Sequence, residues 1–228
     1  MNKKERIFLC AAAAVFVAVL TVAIYLNSKP ADQLSSPMER ALSLYQKGDY
    51  KQAMIYFAQA DNAQLPEAAF ALGAMHFAGL GTPVNIPKAL TYYHKAAGEN
   101  YAPAQTTLAL LYMEGGQVKQ DPQKALILAQ KATEQNDTEA QMMLAKWFEN
   151  GEYVEKDMKQ AVHFYTKAAN NGNMNAKMAL SVIYKSGKET GLENPYASKR
   201  WEDSIQKQKR FENIFRNLPP DYIEKAKP

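Results

Sequence analysis

An eleven-residue phrase recurs three times at a fixed spacing in this chain. It reads PKALTYYHKAA from Pro87, QKALILAQKAT from Gln123 and KQAVHFYTKAA from Lys159, so each copy starts 36 residues after the previous one. A fixed period of this length is typical of arrays of stacked supersecondary units. We therefore expect a solenoid, in which each unit buries its apolar face only against its neighbours.

Six columns of similar residues persist when the chain is aligned with itself at this step. Three columns are alanine, and the others are leucine, glycine and a polar residue. The columns are Ala68, Ala104, Ala140 and Ala176; Leu72, Leu108, Leu144 and Leu180; Gly79, Gly115, Gly151 and Gly187; Asn85, Asp121, Asp157 and Glu193; Ala89, Ala125, Ala161 and Ala197; and Ala96, Ala132 and Ala168.

Each unit is predicted to form two helices. Ala104 and Leu108 have helical spacing, and Gly115 is suited to the left-handed position that ends a helix. Asp121 can then cap the second helix, because its carboxylate accepts from N–H groups that lack intrahelical partners, and Pro122 fits the first turn. The small alanine side chains allow the two helices to approach closely.

The pattern A-x3-L-(G/A)-x2-Y-x2-G, followed by a loop and K-A-x2-(Y/F)-x2-A-A, resembles the Sel-one-like repeat, a relative of the tetratricopeptide repeat. The resemblance implies an all-α, right-handed α-solenoid of helix-turn-helix repeats. It places a tetratricopeptide-like repeat at 38–67 and four Sel-one-like repeats at 68–203, of which the last is degenerate. Residues 204–228 are expected to form a C-terminal capping helix and tail.

An uncharged apolar run from Ile7 to Leu26 precedes the repeats. As a helix it would span about 30 Å, the thickness of a bilayer hydrocarbon core. We expect a single transmembrane signal anchor at 7–26, after a basic cytoplasmic tip at 1–6 and before a linker at 27–37. A cleaved signal peptide is the alternative. Since basic residues stay on the cytoplasmic side, the expected location is the bacterial inner membrane, single-pass, with the C-terminal domain in the periplasm.

Nothing in the residue types indicates catalysis. Cys10 is the only cysteine, so an intramolecular disulfide and a cysteine-based metal site are impossible. The net charge of +4 includes the basic N-terminal tip, which leaves little support for nucleic-acid binding. His76 occupies an aromatic column and is expected in the core, while His94 and His163 are expected in solvent. The chain is therefore predicted to be no enzyme, with no cofactor, metal or small-molecule substrate.

The remaining candidate is a partner-binding groove, because the resemblance implies that the first helices line the concave side. If Leu72 and its equivalents face the core, then the positions two before, two after and five after each leucine face the groove. Packing between neighbouring hairpins is the alternative role for these side chains. The groove residues are Phe70, Ala74 and Phe77; Thr106, Leu110 and Met113; Met142, Lys146 and Glu149; and Met178, Val182 and Lys185.

These features predict a membrane-anchored periplasmic adaptor that binds a protein partner. Proteins that resemble this chain serve as assembly factors for bacterial envelope machinery. Others act as immunity proteins that neutralise a secreted lipase or another toxic effector, which is the main alternative. An enzyme or enzyme modulator is a second alternative that no constellation of residues supports. The partner is thus an envelope component or a toxic effector.

Overall fold

The computed structural model describes residues 36–151, 153–187 and 190–216, and throughout these ranges the regular structure is helical. The helices alternate with short connections, as expected for an array of hairpins. They are α1 (Pro37–Gln46), α2 (Tyr50–Asn62), α3 (Pro66–Ala78), α4 (Ile86–Gly98), α5 (Ala102–Glu114), α6 (Pro122–Glu134), α7 (Thr138–Asn150), α8 (Met158–Asn170), α9 (Met174–Ser186) and α10 (Pro195–Arg216).

The chain divides into two compact units, one ending at Ala140 and the other beginning at Gln141, so the division falls within α7. In the first unit, each helix from α1 to α5 packs against the next one in the sequence. In the second unit, α8 packs against α9 and α9 packs against α10. Both units are thus built from consecutive helical hairpins, as the repeat predicts.

The alanine and leucine columns form the core. Small alanines bring the helix backbones together, and each leucine fills the space beside them. Every member of these columns is buried except Ala197, which is partly exposed. The fully inaccessible members are Ala68, Ala89, Ala96, Ala104, Leu108, Ala125, Ala132, Ala140, Leu144, Ala161, Ala168, Ala176 and Leu180.

The polar column starts the second helix of three repeats. The side-chain oxygens of Asn85 and Asp121 each accept a hydrogen bond of 3.0 Å from the backbone N–H three residues later. Asp157 makes the equivalent contacts in the next repeat. In the fourth repeat the cap is Asn194 rather than the column residue Glu193, since Asn194 accepts from the N–H of Ala197. The predicted caps are therefore confirmed at three of the four column positions.

Glycine ends the first helix of three repeats with a positive φ angle, and Gly79 has the left-handed conformation that was expected. Gly79, Gly115 and Gly151 have φ values of 74°, 69° and 68°. Gly187 departs from the column with φ −76°. A second left-handed column, not anticipated from sequence, ends the second helices. Its members are Gln64, Asn100, Asn136 and Gly172, with φ between 60° and 88°.

The predicted membrane anchor at 7–26 lies outside the described residues, as do the basic tip and most of the linker. Within the described ranges, no helix is long and apolar enough to cross a membrane.

Gly73 allows a close approach between α3 and α4. A Cβ atom at this position would lie 2.7 Å from Cδ1 of Tyr93 and 3.2 Å from the carbonyl oxygen of Ala89, both on α4. Tyr93 is fully buried, so its ring has little room to move. Gly98, at the end of α4, has no atom within 4 Å of the equivalent point.

We expect Gly73→Ala to lower the free energy of unfolding by about 1–3 kcal/mol, because the added methyl group overpacks the α3–α4 contact. Gly98→Ala is the matched control and should leave stability within about 1 kcal/mol of the parent, or raise it, since alanine is the better helix former. Urea denaturation followed by circular dichroism measures both. Equal stabilities for the two variants would contradict the close approach at Gly73.

Candidate protein-binding surface

The first three predicted groove residues differ in accessibility. Phe70 is only 2% exposed, and its ring lies 5.5 Å from the rings of Tyr93 and Tyr101, measured between centroids. Ala74 and Phe77 are partly exposed. Phe70 therefore stabilises the stack, whereas Ala74 and Phe77 retain surface that a partner could contact.

The next triplet, on α5, has the same mixture. Thr106 is partly exposed and donates a 3.0 Å hydrogen bond to Asp137, the residue that precedes α7. Leu110 is partly exposed and Met113 is fully buried. In the first unit, the accessible groove residues are therefore Ala74, Phe77, Thr106 and Leu110.

In the second unit, the triplet on α7 is mostly polar. Met142 is 8% exposed, Lys146 is exposed and Glu149 is partly exposed. The carboxylate of Glu149 accepts a 2.5 Å hydrogen bond from the hydroxyl of Tyr165 on α8. Burial, then this hydrogen bond and the negative charge of Glu149, raise the pKa of Tyr165. The phenol thus stays protonated at neutral pH and acts as a fixed donor.

The last triplet, on α9, is the most accessible of the four. Met178 and Val182 are 50% and 62% exposed, which is unusual for adjacent apolar side chains on one helix face. Lys185 is also exposed, and its ammonium group lies 3.9 Å from the carboxylate of Glu202. A pair this long and this exposed contributes little stability. The binding role of the twelve residues stays a prediction, but α9 offers the largest apolar surface among them.

His76 is in the core, as predicted from its column. It is 3% exposed, and its ring stacks on Tyr92 with centroids 5.7 Å apart. Phe148 and Phe164 form the equivalent stack two periods later in the second unit, at 5.9 Å. Both imidazole nitrogens of His76 lack a hydrogen-bond partner among the described residues. The histidine therefore fills an aromatic position, although burying its two unpaired nitrogens costs desolvation free energy.

The exposed side chains of His94 and Lys124 meet at Tyr112, a cluster that the sequence pattern did not predict. The Tyr112 hydroxyl lies 3.0 Å from Nε2 of His94 and accepts a 2.7 Å hydrogen bond from Lys124. The Lys124 ammonium group also lies 4.1 Å from the centroid of the Tyr112 ring. Burial, and then the charge of Lys124, lower the pKa of His94. The cluster links α4, α5 and α6 through the hydroxyl of Tyr112.

A second polar network, also missed from sequence, is buried near the ends of the second helices. Gln105 is 2% exposed; its amide donates to Asn100 at 3.1 Å and its oxygen accepts from Gln135 at 2.8 Å. In the next repeat, Gln141 accepts from Asn171 at 3.0 Å. The bond to Asn100 joins successive repeats, whereas the buried amide nitrogen of Gln141 has no partner among the described residues. The signal in the sequence is the glutamine at the residue after the alanine column.

Chemical groups suited to metal binding do not converge in the part of the chain that the structure describes. No cluster of three or more His, Cys, Asp or Glu side chains that could hold a metal ion is found there. His163 is exposed and lies edge-on to Phe164, while the carboxylate of Asp157 caps α8.

The stacked hairpins, the alanine columns and the 36-residue period define the chain as an α-helical repeat protein. The Sel1 repeat family matches residues 41–60, 66–101, 102–137 and 138–173, which together exceed half of the chain. The chain therefore belongs to the Sel1 repeat family, whose repeats mediate contacts between proteins. The matched segment 41–60 lies in the hairpin that resembles a tetratricopeptide unit, and the matches do not extend into 176–203.

Solved structures of similar proteins support this fold. A Sel1 repeat protein from Oxalobacter formigenes is 27% identical over 75% of this chain and 70% of its own, with a TM-score of 0.67. A protective antigen of uropathogenic Escherichia coli that displays an SLR fold has the same identity and TM-score over 83% of this chain, which spans 41% of that antigen. An immunity protein from Pseudomonas aeruginosa is 17% identical over 77% of this chain and 84% of its own, and its TM-score of 0.42 is too low to support an argument. No curated protein sequence matches this chain.

We expect His76→Phe to raise the free energy of unfolding by about 1–3 kcal/mol, because it removes two buried nitrogens without partners and keeps the aromatic stack. The same variant should flatten the pH dependence of stability. Burial, and secondarily Lys88, lower the pKa of His76, so the unfolded chain takes up the proton first. The contribution of the neutral His76 to the free energy of unfolding is then fully present above about pH 6.5 and is lost as the pH falls below it.

Urea denaturation of the parent and His76→Phe at several pH values between 5 and 8 measures both effects. His94, whose pKa is also lowered, should leave a residual slope in the variant, and His94→Gln is the control for that part. A variant that is less stable than the parent at pH 7, or that keeps the full slope, would show that His76 has a partner in the folded chain.

Proposed function

We propose that this Sel1 repeat protein is an adaptor, anchored in a bacterial inner membrane, that binds a protein partner on the periplasmic side. The observation that carries the proposal is the exposure of side chains at the predicted groove positions. Ala74, Phe77, Thr106 and Leu110 keep accessible surface in the first unit, and Met178 and Val182 do so in the second. Their neighbours are committed to the core, so binding to these side chains costs no unfolding.

The residue types at these positions suit contacts with a polypeptide. Aromatic residues and methionine are enriched in the cores of protein interfaces, and methionine adapts to partners of different shape. An amphipathic helix or an extended peptide is the kind of ligand that exposed apolar side chains on a helix face can hold. We propose no catalytic activity, cofactor or metal, since His76 serves packing and the imidazole of His94 is paired with the Tyr112 hydroxyl.

The location is proposed from the sequence. The apolar run at 7–26 has the length of a transmembrane helix, and the basic residues before it favour a cytoplasmic N-terminus. The solved relatives from Oxalobacter and uropathogenic Escherichia coli are bacterial. An anchor of this kind would raise the concentration of the repeat surface near partners in the same membrane.

A reporter enzyme that is active only after export, fused behind the full chain, tests this location. We expect activity in intact bacteria and recovery of the fusion in the membrane fraction after an alkaline wash. Replacement of Ala12, Val17 and Val22 by Asp should abolish both, because charges in an apolar segment oppose insertion. A parent fusion that is inactive, or that is washed from the membrane, would contradict the proposed location.

Site-specific photo-crosslinking in living cells tests the adaptor role. A photoreactive residue at Leu110 on α5 should form a crosslink to a protein partner, because this position lies on the proposed binding surface. The matched control is Ile127 on α6 of the same repeat, which is 53% exposed but lies on the second helix. Crosslinks of equal yield from both positions, or none from Leu110, would contradict the proposal.

The identity of the crosslinked protein separates the alternatives. An envelope component supports an assembly role, whereas a secreted toxic effector identifies the chain as an immunity protein. The combined variant His76→Phe, His94→Gln and His163→Gln should give the same crosslink from Leu110. If this variant is folded and crosslinks the partner but no longer supports the cellular function, then the enzymatic alternative is favoured.

A further inference from the structure

In two earlier repeats, the helix position equivalent to Met178 is contacted by the residue that comes just before the next first helix. At the position of Met178, the earlier first helices carry Phe70 and Thr106 in the first unit. Phe70 contacts Tyr101, and Thr106 donates a hydrogen bond to Asp137. Both covering residues lie 31 positions further along the chain and immediately precede the next first helix.

In the described part of the chain after the fourth repeat, no such turn follows α9 and α10. The left-handed residue that ends each second helix recurs at 36-residue steps up to Gly172. The next step is Gln208, which lies inside α10, and the helix continues to Arg216. The amide of Gln208 bonds instead to the carbonyl oxygen of Gly172 at 3.2 Å, and its oxygen accepts from Lys177 at 2.7 Å. The second helix of this repeat is therefore 22 residues long, against 13 in its predecessors.

Because α10 continues, no helix among the residues that the structure describes takes the place of a next first helix beside α9. The residue 31 positions after Met178 is Lys209, which is exposed on α10 rather than placed at the start of a returning helix. Met178 and Val182 consequently keep 50% and 62% of their surface. We call the surface formed by Met178, Val182 and Lys185 the α9 end face.

The continuation of α10 past Gln206 carries more basic than acidic residues. Lys185 lies one turn from Val182 and has only the 3.9 Å contact with Glu202. On the continuation of α10, Lys207, Lys209 and Arg210 are exposed, and none of them pairs with a carboxylate among the described residues. An occupant of the face should therefore carry acidic groups.

We infer that the α9 end face binds an acidic, amphipathic helix of a partner protein, which occupies the place of the first helix of a further repeat. A helix fits because Tyr101 and Asp137, which contact the equivalent positions in the first unit, each immediately precede a first helix. A second copy of this chain fits poorly, because a two-fold pairing would bring the same cationic surfaces together. The inference rests on the proposed adaptor function and names the chemistry of its partner.

The probe is a fluorescein-labelled helical peptide with alanine and leucine at the A-x3-L spacing of the first helices and glutamate on its other face. A matched peptide carries lysine in place of each glutamate. The full chain is held in nanodiscs of zwitterionic lipid, and empty nanodiscs correct for binding to lipid. Fluorescence anisotropy should show at least tenfold tighter binding of the glutamate peptide at low salt, and a smaller preference as salt is added.

Substitutions localise the site. Met178→Ser with Val182→Ser should weaken binding of the glutamate peptide at least tenfold, and Lys185→Glu should reduce its advantage over the lysine peptide. The matched control is Ile55→Ser with Ile127→Ser, which removes two side chains of similar exposure elsewhere and should leave the affinity unchanged. Circular dichroism confirms that every variant is folded.

Equal binding of the two peptides, or full affinity in the Met178 and Val182 variant, would overturn the inference. An oligomer in sedimentation experiments that this variant dissociates would also overturn it, since a second copy would then cover the face. Tighter peptide binding after removal of residues 217–228 would assign the face to the chain's own tail. In each case a persistent crosslink from Leu110 would leave the adaptor function standing, whereas peptide binding without that crosslink would remove it.

Discussion

The structure depends on the close approach of paired helices, which small side chains make possible. Alanines at Ala68, Ala104 and Ala140 have no accessible surface, and Gly73 leaves room for the ring of Tyr93. Larger residues at these points would separate the backbones and open voids beside the leucine column. Because no hairpin has another apolar face to bury, this contact also controls how one repeat packs on the next.

The ends of the helices determine where the array continues. Each of the earlier second helices ends at a left-handed residue, and the chain then turns into the next first helix. Gln208 reaches the same step without the turn, so α10 runs on and the face of α9 keeps its apolar surface. The exposed apolar surface of α9 is therefore explained by a second helix that continues past the step at which its predecessors end.

Much of the fold could be predicted from the sequence, and much less of the candidate site. The period, the columns and the caps at Asn85, Asp121 and Asp157 are local signals, and the structure confirms them. The spacing from the leucine column placed Phe70, Leu110 and Met178 alike in the groove, although their exposures differ widely. Equivalent positions along one helix have different neighbours across the stack, and a helical period contains no information about those neighbours.

The sequence by itself determined the class of protein: a helical repeat array, whose first and second helices, loop positions and core columns follow from spacing and residue size. Only the tertiary structure decided which apolar residues remain accessible, which polar residues pair between repeats, and that Tyr112 joins His94 to Lys124. The physical reason is the range of the interactions involved. Helix formation and capping act within a few residues, whereas burial is set by side chains about thirty positions away.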